Sequence, residues 1–294
     1  MDNRYSTIDP RKISVPAAVA AVVGTLAALA LLGALHVLSP EFSPAWRMVS
    51  EYSNGRYPAV LSAMFVAYGL SSLALAFAIR SQMATRSGRI GLSVLVVAGV
   101  GQIAAAQFDL NHAALHELAG VLGIVGLCIG AVLISRALGR APGWSSARRQ
   151  LQWSAHLTWI TVVLFLASFP LMMATFVSAT GTLPSIAPKE LPHGVIALVG
   201  WTDRLLVLSA WAWVSITAYH AIRVQRAARS AQCPRAGRSV RATANERQPS
   251  RSEPSASDPL ADNDALVRAP ARPRGTKSRG PGRWNRTRRR PWSS

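Results

Sequence analysis

The chain is short of acid, of cysteine and of charge as a whole. Only 13 of its 294 residues are Asp or Glu, against 32 Lys or Arg, and charged residues make up 15% of the sequence. A soluble domain carries about 25% charged residues, so an ordinary soluble enzyme is excluded. The two cysteines lie at Cys128, in an apolar stretch, and Cys233, in a polar one. They cannot plausibly pair, which excludes a disulfide scaffold. Also absent are a P-loop, a Rossmann glycine fingerprint, a kinase motif set and a nucleophile elbow. Barrel-type alternation of apolar and polar residues is missing too.

What is present is apolar length. Half the residues are hydrophobic, yet the net charge is +19. Residues 1–222 carry 14 Lys/Arg and 8 Asp/Glu, a net of +6, whereas residues 223–294 carry 18 and 5, a net of +13. The chain thus divides into an apolar body and a short basic tail. About 20 apolar residues suffice to cross a bilayer as a helix. Six stretches qualify: 15–38, 58–79, 90–108, 113–135, 156–177 and 195–222. Span six has an alternative start near Leu205. In hydrocarbon every backbone group must be paired within its own segment, so these runs are helices. The first run is longer than the apolar core of a signal peptide and reads as an uncleaved span.

The expected architecture is all-α: a six-helix polytopic membrane protein. Residues 1–14 form an N-terminal segment, 15–222 the transmembrane domain, and 223–294 a disordered Arg/Pro-rich tail. Lys and Arg gather in the N-terminal segment, the loops after spans two and four, and the tail. That bias puts both termini in the cytoplasm and implies a prokaryotic plasma membrane. Trp144 and Trp153 are expected near the inner interface. The tail then reads as an attractor of anionic lipid rather than a nucleic-acid arm. In span four, Gly126 and Gly130, extended by Gly123, form a smooth stripe suited to close helix packing, within the bundle or across a homo-oligomer.

Ionisable groups within membrane helices are costly and mark candidate sites. Most here fall towards the outer side: His36, Glu51, Asp109, His112, His116, Glu117, His193, Asp203 and Arg204, with Tyr52 beside Glu51. His112 and His116 are spaced to share a helix face. With Asp109 they form a candidate zinc site, Glu117 serving as general base. Helix capping and interfacial hydrogen bonding are the plainer roles for the same residues. The pairs His36/His116 and His156/His220 could also hold two b haems. No cofactor is evident from a motif. Arg204 requires either an acidic partner on another span, with Glu51 and Glu117 the candidates, or an anionic ligand.

The sequence resembles the bacterial and archaeal multi-pass family catalogued as domain of unknown function 998. The matching features are Leu38-Ser39-Pro40, Ser50-Glu51-Tyr52, Asp109, His116 followed by Gly120, and Gly200 followed by Arg204. The resemblance covers roughly residues 15–222. It implies a six-helix membrane body with a polar cluster near the outer face and no assigned activity.

Four functions remain open. The first is a small transporter or binder of an anionic or lipid-like molecule, with Arg204, Glu51, Tyr52 and His116 as its contact residues. The others are an outer-leaflet metal-dependent hydrolase at Asp109, His112, His116 and Glu117, a haem b electron carrier, and a structural or assembly subunit. An enzyme is the less expected outcome.

Overall fold

The computed structural model describes residues 8–108, 112–183, 188 and 190–231. Among them are six helices long and apolar enough to cross a membrane. They are α1 (Val15–Leu38), α2 (Pro58–Ile79), α3 (Arg86–Ala104), α4 (Ala113–Leu138), α5 (Arg148–Thr180) and α6 (Val199–Ser230). Each helix packs on its predecessor and α6 returns to α1, closing a ring. α6 also meets α2 and α4 across the bundle. The ring has two ends. One carries the start of α1 and the end of α6, and will be called the terminal end. The other carries the α1–α2, α3–α4 and α5–α6 connections, and will be called the distal end.

Helix starts follow local chemistry. α1 and α2 begin with Pro in the first turn, where a missing N–H costs nothing. Thr85 caps α3 by accepting the Gly88 amide at 3.0 Å, so that helix begins at Arg86 rather than at 90. α5 starts at Arg148 instead of 156, following a 3₁₀ turn at Ser145–Ala147. α6 starts at Val199, between the two starts expected for it, and runs past Ile222 to Ser230. Arg223, Arg226 and Arg229 therefore belong to a helix rather than to a disordered tail. Basic side chains near a helix C-terminus complement its exposed carbonyls.

Each helix turns apolar side chains outward. Val23, Leu26, Leu70, Phe77, Val97, Val100, Leu118, Val121, Val163, Leu166 and Leu205 are all exposed, as a bundle surrounded by lipid requires. Inside, small residues set the spacing. A Cβ on Gly91 would lie 2.8 Å from the Leu133 Cβ, one on Gly126 3.3 Å from the Ala98 Cβ, and one on Gly130 3.2 Å from the Gly91 carbonyl. The span-four glycine stripe is thus spent on α3 inside the bundle. Trp144 is fully buried in the core at the terminal end, whereas Trp153 is exposed; only Trp153 has the surface position expected of an interfacial residue.

Polar side chains then lock α6 in place. Thr25 and Ser215 join α1 to α6 at 2.8 Å, Thr161 and Ser209 join α5 to α6 at 2.8 Å, and Trp213 Nε1 donates to Ser135 of α4 at 3.0 Å. His220 Nε2 meets Gln150 of α5 at 2.6 Å. Such interhelical bonds average about 0.6 kcal/mol each in membrane proteins. At the terminal end, Asp9 accepts both the Arg11 backbone N–H and its guanidinium. The Arg11 side chain foremost holds the Asp9 carboxyl below its ordinary range.

Candidate functional site at the distal end

Two neighbouring residues of α6 grip the α1–α2 connection from different sides. Successive helical residues point about 100° apart, so Asp203 and Arg204 take different partners. Asp203 Oδ2 accepts the Val49 amide at 2.7 Å. Arg204 Nη1 donates to the Arg47 carbonyl at 2.7 Å and to the Gly200 carbonyl at 2.9 Å. Its Nη2 donates to the Tyr52 hydroxyl at 3.2 Å, and its Nε to His36 Nε2 at 2.8 Å. One carboxylate and one guanidinium thus hold an N–H, a C=O and a phenol of the segment 47–52.

Arg204 is 4% exposed, and among the described residues no carboxylate lies within 4.0 Å of it. The expected inter-helix salt bridge to Glu51 or Glu117 is not formed. Its charge is instead met by carbonyl, hydroxyl and imidazole acceptors. That arrangement fixes the His36 tautomer. A guanidinium can only donate, so Nε2 of His36 is the bare acceptor and Nδ1 carries the hydrogen. Nδ1 accordingly lies 2.6 Å from the Leu32 carbonyl. Both ring nitrogens of His36 are thus engaged in hydrogen bonds.

Glu51 is committed within its own turn. It accepts the Met48 amide at 2.9 Å and Arg47 Nη1 at 2.6 Å. Arg47 also donates to the Pro188 carbonyl at 3.0 Å. The 3₁₀ turn Val49–Asn54 is thereby closed by Glu51 and tied to the α5–α6 connection. Tyr52 is buried, with the rings of Phe42 at 5.2 Å and His36 at 5.9 Å.

Gly200 makes this docking possible. A Cβ there would lie 2.7 Å from the Arg47 carbonyl oxygen and 2.9 Å from the Trp46 nitrogen. Its own amide donates to the Ala45 carbonyl at 3.0 Å. Only a residue without a side chain lets the connection lie flat on α6.

Beneath residues 48–50 lies a cavity of about 140 Å³. α2 supplies Phe65 and Tyr68, α4 supplies His116, Gly120 and Gly123, and α6 supplies Asp203 and Val207; Gln102 and Phe165 also line it. Gln102 accepts from Ser72 at 2.8 Å and donates to the Gly123 carbonyl at 3.1 Å, clamping α2, α3 and α4 together. His116 Nδ1 lies 2.7 Å from the Phe108 carbonyl, so in the neutral ring Nε2 is a bare acceptor.

The sequence-derived candidates therefore separate. Tyr52 and Arg204 touch, and Glu51 joins them through Arg47. His116 lines the cavity with Asp203, on the other side of the clamped segment. His112 is the exposed N-cap of α4 rather than part of its face, and Glu117 is exposed. Asp109 lies outside the described residues. Among the described residues no three His, Cys, Asp or Glu side chains gather as a metal site. Tyr68 and Gln102 also line the cavity and are uncharged, so their one signal in the sequence is a polar residue deep in an apolar span. Arg47 was visible as well, four residues before Glu51.

Replacing Arg204 by Met should lower stability by about 3 kcal/mol, since two carbonyls, a phenol and an imidazole lose their donor together. Glu51→Gln should cost about 1 kcal/mol, because that pair is partly solvated. Equilibrium unfolding of both variants in detergent measures the ranking, and equal losses would contradict it.

A family model described as "Protein of unknown function (DUF998)" matches residues 22–220. No curated protein and no solved structure matches the chain. The match runs from within α1 into α6 and takes in the clamp and the cavity, so this integral membrane protein belongs to the DUF998 family.

Proposed function

We propose that the chain binds or transports a small molecule through the distal cavity, which the Lys/Arg bias places at the outer face of a prokaryotic plasma membrane. The observation that carries this is the convergence of five helices and the 48–50 segment on one space. It is lined mainly by apolar groups with a few polar ones, the usual make-up of a ligand site. Its volume suits a small molecule or the head of a larger one. Arg204 stands outside the lining and acts as a strut that holds the covering segment, rather than as the anchor for an anion. Glu51 and Tyr52 serve the same strut, and His116 is the sequence-derived candidate that meets the ligand. The basic residues from 223 onward attract anionic lipid at the opposite face.

Gly120 offers the test. A Cβ there meets no atom within 4 Å, so a side chain can start at this position without a clash, and Gly120→Leu is the substitution chosen to occupy the cavity. Thermal unfolding of the wild-type protein against a library of small amphipathic compounds should reveal stabilising ligands. The Gly120→Leu protein should melt within a few degrees of wild type and lose those shifts. Ligands that stabilise both proteins equally would refute the cavity as the site.

Orientation has its own reporter. Cys128 is buried, which leaves Cys233 for labelling. A membrane-impermeant maleimide should label Cys233 only after cells are permeabilised, and labelling of intact cells would reverse the topology.

A further inference from the structure

The distal cavity has unused hydrogen-bonding capacity, and much of it is of one kind. Asp203 is 8% exposed. Its Oδ2 takes the Val49 amide, and no described group donates to Oδ1. His116 presents a bare Nε2 in its neutral ring, because Nδ1 is held by the Phe108 carbonyl. Tyr68 is a buried residue of α2 whose ring packs edge-on against Trp211 at 5.7 Å. Phe65, Tyr68 and Phe165 bring three aromatic rings to the same space. Neither Lys nor Arg is among its lining residues.

A buried carboxylate left with a single donor is costly unless a positive group completes it. Arg204, its neighbour in sequence, is spent on the α1–α2 connection. A cation arriving from outside would meet a carboxylate oxygen, an imidazole acceptor and aromatic faces, and each of these favours positive charge. A carboxylate or phosphate would meet Asp203 and be repelled. The cavity has room for about five waters, which limits what enters to a group of a few heavy atoms.

On the reading of this cavity as a binding site, we propose that its ligand carries a small ammonium group, with Asp203 as counter-ion, His116 as acceptor and Tyr68, Phe65 and Phe165 as an aromatic surround. The ammonium could belong to a free amine or to a lipid headgroup.

The test uses full-length protein in detergent and three probes of one shape: propylammonium, propanol and propionate. Calorimetric titration at neutral pH should show propylammonium binding about tenfold or more tighter than either of the others. Asp203→Asn, whose amide oxygen can still accept from Val49, should weaken propylammonium by about thirtyfold and leave the two other probes unaffected. Reconstitution into nanodiscs then separates the sources. Competition by ethanolamine headgroups but not by glycerol headgroups assigns the site to a lipid, and equal binding in both assigns it to a free amine; either result supports the ammonium. If propanol or propionate binds as tightly and Gly120→Leu abolishes that binding, the ammonium assignment is overturned and the binding cavity stands. If none of the three binds, or if Gly120→Leu changes nothing, both are overturned.

Discussion

A buried guanidinium held by dipoles rather than by a carboxylate organises the distal end of this protein. Taking a charge out of water is expensive, and a nearby opposite charge is the usual remedy. Here Arg204 uses the carbonyls of Arg47 and Gly200, the Tyr52 hydroxyl and the His36 ring. Those partners come from α1, from the α1–α2 connection and from α6 itself. The one residue therefore fixes where the connection sits. The carboxylate beside it makes no ion pair with Arg204 and takes the Val49 amide instead.

That division of labour creates the cavity. If Asp203 and Arg204 paired with each other, the segment 47–52 would lose both its clamps. With the segment pinned, residues 48–50 cover a space that Gly120 keeps open from the side of α4. The rest of the bundle supplies rigidity. α6 is bonded to α1, α4 and α5 along its length, so the clamp is mounted on a helix tied to three of its neighbours. An apolar exterior and a polar, tightly tied α6 are two consequences of one solvent: lipid rewards outward apolar side chains and makes hydrogen bonding inside the bundle the favoured place for polar ones.

Much of this was legible in the sequence. Six apolar runs gave the six helices, because length and hydropathy alone decide whether a segment can cross hydrocarbon. The glycine stripe of α4 was readable as a packing surface, although only the structure names α3 as its partner. The family resemblance also drew attention to Gly200 and Arg204, and the two act together: the glycine admits the backbone that the arginine binds. The partners of Arg204 were not legible. Sequence reasoning looks for opposite charge, whereas a backbone carbonyl carries no signature in the side-chain code. The cavity was hidden for a similar reason. Tyr68, Gln102 and Asp203 lie on three different helices, and only their tertiary approach brings them to one space. The extension of α5 back to Arg148 was missed because its first turns carry Arg148, Arg149 and Gln150, which an apolarity criterion rejects.

The most direct test of the account is the protonation pattern of His36. Because Arg204 can only donate, Nε2 of His36 must be bare and Nδ1 must carry the hydrogen that reaches Leu32. Nitrogen-15 NMR of protein labelled at histidine, with His36 assigned by its substitution, distinguishes the two neutral tautomers and the imidazolium. The account predicts the Nδ1–H tautomer in the folded protein, with its conversion to the ordinary mixture when Arg204 is replaced by Met. A His36 ring protonated at Nε2, alone or together with Nδ1, would contradict it.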